Sequence, residues 1–312
     1  MSVLDAPHFR DEEAAFAKLE SIVWPNGPVC PKCGALDRIY PLRGVRSKPS
    51  KKHPQGIERF GLKKCGHCKG QFTVRVGTVF ESAHIPLHKC LQAVYMMCSS
   101  KKGISAHQMH RTLEITYKSA WFLCHRIREA MRDGTLAPMG GAGSIVEVDE
   151  TYIGRDHTKT KKSGTAHKFA VLTLVERNGR ARSFPIERAS QENVMPIVMD
   201  NVRYESAIMT DEGGQYSKMK KLYSGHGVVN HSANEYARGE THSNTVEGYF
   251  SIFKRGMKGV YQHCGEKHLH RYLAEFDFRY SNRIALGTND EARAGKALLG
   301  ISGKRLTYQQ PR

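Results

Sequence analysis

Three acidic residues stand where a charge needs a reason. Asp149 lies in the run Ile145-Val-Glu-Val-Asp-Glu-Thr-Tyr-Ile153, which is β-branched and apolar and reads as a central strand. A carboxylate inside such a strand is costly unless it binds something. Period-two alternation puts Glu147 and Asp149 on one face of that strand and Glu150 on the other. Asp211 closes Ala207-Ile-Met-Thr-Asp and precedes Glu-Gly-Gly. That is a strand end, where ligand sites of α/β sheets collect. Glu247 lies in the helical stretch HSNTVEGYFSIFK at 242–254, and Lys254 follows two turns later on the same face, with Asn244 and Ser251. Three carboxylates from two strands and a helix offer the hard oxygens that two Mg2+ (or Mn2+) ions take. Two such ions about 4 Å apart serve phosphodiester chemistry. Each acid taken alone has a plainer reading: a turn cap at Asp149, a loop acid at Asp211, a solvated face at Glu247 and Lys254. Glu147 and His231 are candidates for supporting roles around the three.

A second constellation is built on sulfur. Cys30-Pro-Lys-Cys33 and Cys65-Gly-His-Cys68 are two CxxC pairs separated by 31 residues. Each pair fits a knuckle that presents two thiolates to one ion, and four thiolates complete a tetrahedral Zn2+ site. All four positions are filled by protein, so the zinc is structural and the module does no chemistry. Four unrelated thiols or a redox dithiol are the alternatives; two knuckles, each followed by Gly or a basic residue, rarely arise by either route. His67 lies between ligands and is not expected to replace one. The spacing is long for a zinc ribbon, and 44–58 reads as an extended basic loop.

These residues must be held by elements, and the chain shows which. A short amphipathic helix is expected at 11–24, from Phe16, Leu19, Ile22 and Val23. Between positions 38 and 75 there are 11 Lys/Arg and one acid, Glu58. The stretch 86–134 reads as helices, with a helix–turn–helix pattern across 103–132 and N-caps at Ser105 and at Thr116 or Ser119. Its second helix carries His125, Arg126, Arg128 and Arg132 beside Trp121, Phe122, Ile127 and Met131. That arrangement fits a recognition helix in a major groove. An ordinary basic amphipathic pair is the bland alternative. The Gly-rich stretch 135–143 is a linker. Strands are then expected at 144–153, 168–176 and 181–188, the last two joined by Arg177-Asn-Gly-Arg180 as a type I′ hairpin. A helix follows at 190–203, with Pro196 in its first turn or at a kink. Short strands at 207–210 and 227–230 and helices at 242–255 and 266–283 complete a mixed α/β order. The tail from 290 is basic and poorly patterned.

Composition agrees with a nucleic-acid partner. The 312 residues carry 48 Lys/Arg against 30 Asp/Glu, a formal charge of +18. Such a surplus points to a polyanion, DNA or RNA first and an anionic membrane surface second. Mean hydropathy is −0.51, and the longest apolar runs are about six residues, against about 20 needed to span a bilayer. The start, MSVLDAPHFRDEEAAFAK, lacks the apolar core of a secretory signal. The expectation is a cytoplasmic protein without disulfides or membrane spans.

The strings SKKGISAHQMHRTL, AWFLCHRIREAM, VEVDETYIGR and HSNTVEGYFSIFKRGMKGVYQH resemble the ISXO-type DDE transposases of bacterial insertion sequences. The resemblance runs from about residue 24 to residue 283, and the spacing agrees: 62 positions from Asp149 to Asp211 and 35 residues between Asp211 and Glu247. It implies a zinc ribbon before an RNase H-like domain, with Asp149, Asp211 and Glu247 as metal ligands and Lys254 as the accompanying lysine. The segment between the knuckles is longer than the pattern, and Cys90 stands where it has a large aromatic.

The domains expected are an N-terminal helix (1–29), a zinc ribbon (30–80), a helix-turn-helix-like region (81–134), a linker (135–143), an RNase H-like catalytic domain (144–290) and a basic tail (291–312). The function implied is a DNA transposase that binds terminal inverted repeats. It would cut the element ends and join the freed 3′-OH to target DNA, as a homo-oligomer at the bacterial nucleoid. His125, Arg126, Arg128, Arg132 and Asn244 are the expected DNA contacts. A repurposed transposase that only binds DNA, a nuclease without strand transfer and a zinc-stabilised RNA binder are the rivals.

Overall fold

A computed structural model describes residues 2–307 apart from 52, 133, 135, 136, 157, 159, 161–163, 230–236, 239 and 240. His231 lies outside the described residues. The chain divides into two compact units. The first joins residues 1–100 and 104–131 to the C-terminal 290–312, and the second comprises 101–103 and 132–289.

In the first unit, α1 (Glu12–Val23) starts at Asp11, whose side chain accepts from the Ala14 N–H, and buries Ala15, Phe16 and Leu19. Three short antiparallel strands follow, β1 (Ile39–Pro41), β2 (Lys63–Cys65) and β3 (Gln71–Phe72), with β2 in the middle. The long segment between β1 and β2 is a folded arm. Leu42 N–H bonds the Leu62 carbonyl, Arg59 that of Val45, and Ser47 that of Ile57, so the two sides pair as a ribbon. Gly56 at its tip has φ +69°, and a Cβ there would stand 2.2 Å from the Ser47 carbonyl oxygen, so glycine alone fits.

Helices α2 (Leu87–Ser99), α3 (Ala106–Leu113) and α4 (Tyr117–Met131) come next. Ser105 caps α3 and Thr116 caps α4, and Glu114 breaks the two apart in the left-handed conformation at φ 52°. The tail that lacked a pattern forms a helix at its start, Asp290–Leu299.

The second unit is a five-stranded sheet between two helical layers. Its strands are β4 (Ile145–Ile153), β5 (Phe169–Glu176), β6 (Ala181–Ile186), β7 (Ala207–Asp211) and β8 (Gly225–Val229), with α5 (Gln191–Asn201) between β6 and β7. The order across the sheet is β6-β5-β4-β7-β8; β4, β5 and β6 form an antiparallel meander, and β7 and β8 run parallel to β4. This is the mixed sheet that the element order implied, and it agrees with the RNase H-like domain that the resemblance implied. Asn178 turns the β5–β6 hairpin at φ 55°. Gly179 is not in the left-handed region, so the turn is not the type I′ expected. Helix α5 carries Pro196 in its interior.

A two-stranded ribbon, β9 (Ala237–Arg238) and β10 (Thr241–His242), leads into α6 (Asn244–Gly256), and α7 (Glu266–Ser281) follows. One sheet face packs α5 through Val146, Val148, Leu172, Leu174, Val194, Val198 and Ile208. The other packs α6 and α7 through Ile153, Val171, Val175, Val246, Phe253, Leu273 and Phe276. Helix α8 (Asp290–Leu299) returns to the first unit, where it packs against α2 and α4 and Arg293 donates to the Cys98 carbonyl at 2.8 Å.

Candidate active site and zinc centre

Strand β4 explains how two acids far apart in sequence come to one sheet face. Its parallel register with β7 sets Ile145 beside Ala207, Val146 beside Ile208 and Glu147 beside Met209. The offset is 62 positions, the same as from Asp149 to Asp211. The register carried two residues further brings Asp149 level with Asp211 on one sheet face, neighbouring strands being about 4.8 Å apart. The alternation holds as expected: Val146 and Val148 enter the α5 core, while Glu147 and Asp149 face α6. Glu247 is in the first turn of α6 and exposed, and its Oε1 accepts from Ser243 Oγ at 2.8 Å.

Asp149 registers this company electrostatically. Burial pushes its carboxyl up to about 8, and the negative charges of Asp211, Glu150 and Glu247 push the same way against the Glu150 N–H that it accepts at 2.7 Å. Asp211 Oδ1 accepts the Gly213 N–H at 3.0 Å. A largely buried carboxylate beside two more, all hard oxygen donors, is a set that a divalent cation satisfies. The three carboxylates stand further apart than ligands closed on one ion. Among the described residues only four thiols lie within 4.8 Å of one another as a candidate metal group. Lys254 is half-buried in the last turn of α6, with Nζ 5.7 Å from the Phe250 ring centre. Asn244 is exposed at the first position of α6.

The thiols are Cys30, Cys33, Cys65 and Cys68. Cys30 and Cys68 sulfurs are 3.6 Å apart, as are those of Cys33 and Cys65. A tetrahedron with bonds of about 2.3 Å has edges of about 3.8 Å, so the four sulfurs fit one Zn2+. Burial opposes a thiolate at Cys30, but the backbone N–H groups of Lys32 and Cys33 together with the Cys33 and Cys68 thiols outweigh it and bring the thiol down to about 7. The Cys68 backbone N–H foremost lowers Cys65 in the same way. One thiol in each knuckle, Cys30 and Cys65, thus favours the form that binds metal. Cys33 goes the other way: against the Ala35 N–H, burial and the neighbouring thiols raise it to about 11, the opposition expected of thiols crowded together before a cation is bound. His67 pairs with Asp37 at 2.9 Å and is no part of the cluster.

The recognition-helix reading of α4 needs correction. His125, Arg126 and Arg128 are 1%, 6% and 2% exposed, so they cannot line a groove. His125 packs edge-on against Trp121 at 4.3 Å, and the Arg126 guanidinium lies 4.7 Å from the centre of the Phe122 ring and donates to the Leu306 carbonyl. Lys304 reaches the Glu129 and Ala130 carbonyls at the end of α4. The C-terminal segment therefore covers the side of α4 that its basic residues mark. Arg132 alone of the four is exposed. The exposed corner of the pair is at the start of α4: His107 stacks on Tyr117 at 4.3 Å, with Arg111 and Lys118 beside them. Helical periodicity had no means of locating this corner, because which face is free depends on the C-terminal segment.

Residues 140–281 match the ISXO2-like transposase domain, and residues 10–71 match the transposase zinc-ribbon domain. The chain resembles ISXO2-like transposases in both of its parts. An uncharacterized protein in transposable element ISH50 of Halobacterium salinarum is 25% identical over 295 residues, 87% of this chain and 91% of that protein. The matched zinc ribbon begins at residue 10 and takes in α1, and the matched catalytic-type domain spans β4 to the end of α7.

Proposed function

We propose that the protein is an insertion-sequence transposase that binds the ends of its element and cuts and joins DNA strands with divalent metal. The observation that supports this is the 62-residue register of β4 on β7, which continued two residues aligns Asp149 with Asp211, whose charge acts on Asp149, in a domain that matches a transposase family. Asp149, Asp211 and Glu247 would hold two Mg2+ or Mn2+ ions. Such ions, when bound, act as Lewis acids on the phosphate and lower the pKa of water or of a 3′-OH. Asp149 holds its proton to higher pH than an ordinary aspartate, so binding a cation there releases a proton. Lys254 and Asn244, on the same helix as Glu247, contact phosphate and order the scissile strand.

DNA is held by the zinc ribbon and by the exposed corner of α3 and α4. The arm offers Arg43, Lys48 and Lys51, the corner His107, Arg111, Tyr117 and Lys118, and Arg132 adds a charge. Two ends must be cut together, so the working form is a homo-oligomer on DNA. No helix among the described residues is long and apolar enough to cross a membrane.

The test uses purified protein and duplexes carrying the inverted repeats that flank its gene, with Mg2+ or Mn2+. Wild type should nick at the repeat end and join the 3′-OH to a second duplex. Glu247→Gln should bind the repeats as before and lose cleavage and joining by several orders of magnitude, about 10³-fold or more, because in-line positioning is lost with the ligand. Wild-type cleavage rates in Glu247→Gln would refute the site, and repeat binding without any cleavage would leave only a DNA-binding protein.

A further inference from the structure

Asp149 has a glutamate on each side of it, Glu147 two residues before and Glu150 one after, and each is engaged by an element that carries or follows another of the three acids. Glu147 is fully buried. It accepts the Thr245 N–H at 2.8 Å, the Val246 N–H at 2.9 Å, the Thr245 hydroxyl at 2.8 Å and Arg177 Nε at 2.7 Å. Arg177 also donates to the His242 carbonyl at 2.9 Å, just ahead of α6. The amides of Thr245 and Val246 belong to the first turn of α6, which has no partners within the helix, and a carboxylate there also meets the positive end of the helix dipole. One side chain on β4 therefore fixes both where α6 starts and how it is rotated. Four donors fill the lone pairs of Glu147, which leaves it no oxygen for a metal ion. Glu247 follows Val246 directly.

Glu150 points to the opposite face and accepts Gln215 Nε2 at 2.7 Å and the Tyr216 hydroxyl. Gln215 and Tyr216 lie in the turn that follows Asp211, and Tyr216 is buried in the core beneath α5. The chain leaving Asp211 is thus fastened to the strand of Asp149.

We propose that Glu147 and Glu150 are positioning residues: Glu147 sets Glu247, and Glu150 sets Asp211, relative to Asp149. This rests on the reading of the three acids as metal ligands. Each contact holds one arm of the set in place before metal arrives, so less order is lost when the carboxylates close on an ion.

The test is Mn2+ affinity, read by electron paramagnetic resonance on the zinc-loaded full chain, in two double-mutant cycles. Glu147→Gln and Glu150→Gln should each weaken Mn2+ binding about tenfold or more, as changes to residues supporting a metal ligand do. Glu147→Gln should add little once Glu247→Gln is present, and Glu150→Gln little once Asp211→Asn is present, because each acts through its ligand. If Glu147→Gln does not fold, Thr245→Val, which removes one donor and keeps the shape, carries the first cycle with a smaller effect of the same kind. Losses that multiply in the double variants would show a general structural role and overturn the proposal. Unchanged affinity in the single variants would overturn it as well. A wild type that binds no Mn2+ refutes the ligand reading itself and this proposal with it.

Discussion

Asp277 shows how a single buried carboxylate is decided by its surroundings. It sits on α7 and accepts the Ser183 N–H at 2.8 Å, the Ser183 hydroxyl at 2.7 Å and the Tyr249 hydroxyl at 2.6 Å, tying α7 to β6 and α6. Burial pushes its carboxyl up to about 6, against the lowering effect of those three donors and of Arg182. In the unfolded chain it ionises near pH 4. Between about pH 4 and 6 the unfolded chain therefore gives up this proton while the folded chain keeps it, so Asp277 makes stability fall as pH rises through that window and flatten above it. Asp277→Asn should remove that part of the slope, checked by urea denaturation of wild type and variant at pH 4.5, 5.5 and 6.5. Parallel curves for the two proteins would count against it. The same dependence on surroundings accounts for His125, Arg126 and Arg128. Their types suggested a DNA contact, and their burial excludes it.

At the scale of elements, the ribbon depends on its four thiols more than on its apolar packing. Its cluster holds Cys30, Cys65 and Phe72 with Trp24, Ala35 and Ile39 at the edge, too small a core to hold the strands by itself. Four-thiolate zinc sites supply folding energy directly. Cys65→Ser should lose one zinc per chain, measured by elemental analysis, and should open amide exchange across β1–β3. Protection of β4 and β5 should be unchanged, since they belong to the other compact unit. Repeat binding should weaken. A variant that kept its zinc and its protection would contradict the site.

At the scale of the whole molecule, the surplus of 48 basic over 30 acidic side chains sets a field no single contact describes. If it serves DNA, the logarithm of affinity falls linearly with the logarithm of salt, by about 0.9 per phosphate neutralised. With roughly five to ten phosphates engaged, affinity should drop about 10³-fold or more between 50 and 200 mM salt. Fluorescence anisotropy on repeat and unrelated duplexes measures it, and a flat response would remove DNA as the reason for the charge.

Parts whose signal is local could be read from the residues alone. Two CxxC pairs identify a metal knuckle because thiol spacing within a turn is all that the knuckle requires. The β-branched run around Asp149 and the helix of Glu247 were legible because periodicity of two or 3.6 is a property of neighbours along the chain, whereas Asn178-Gly179 marked the place of a turn but not its type. The acids stood out because a charge in such a run is costly. Tertiary structure decided what depends on residues far apart in the chain. The arm between the knuckles pairs through contacts across its own length, and a one-residue shift would have placed its side chains on the other face. Glu147 takes its partners from Thr245, Val246 and Arg177, and no local pattern ties those positions together. The fate of the basic side of α4 rested with Leu306 and Lys304, at the other end of the chain. A helix pattern reports which face is apolar, but only packing reports which face is covered.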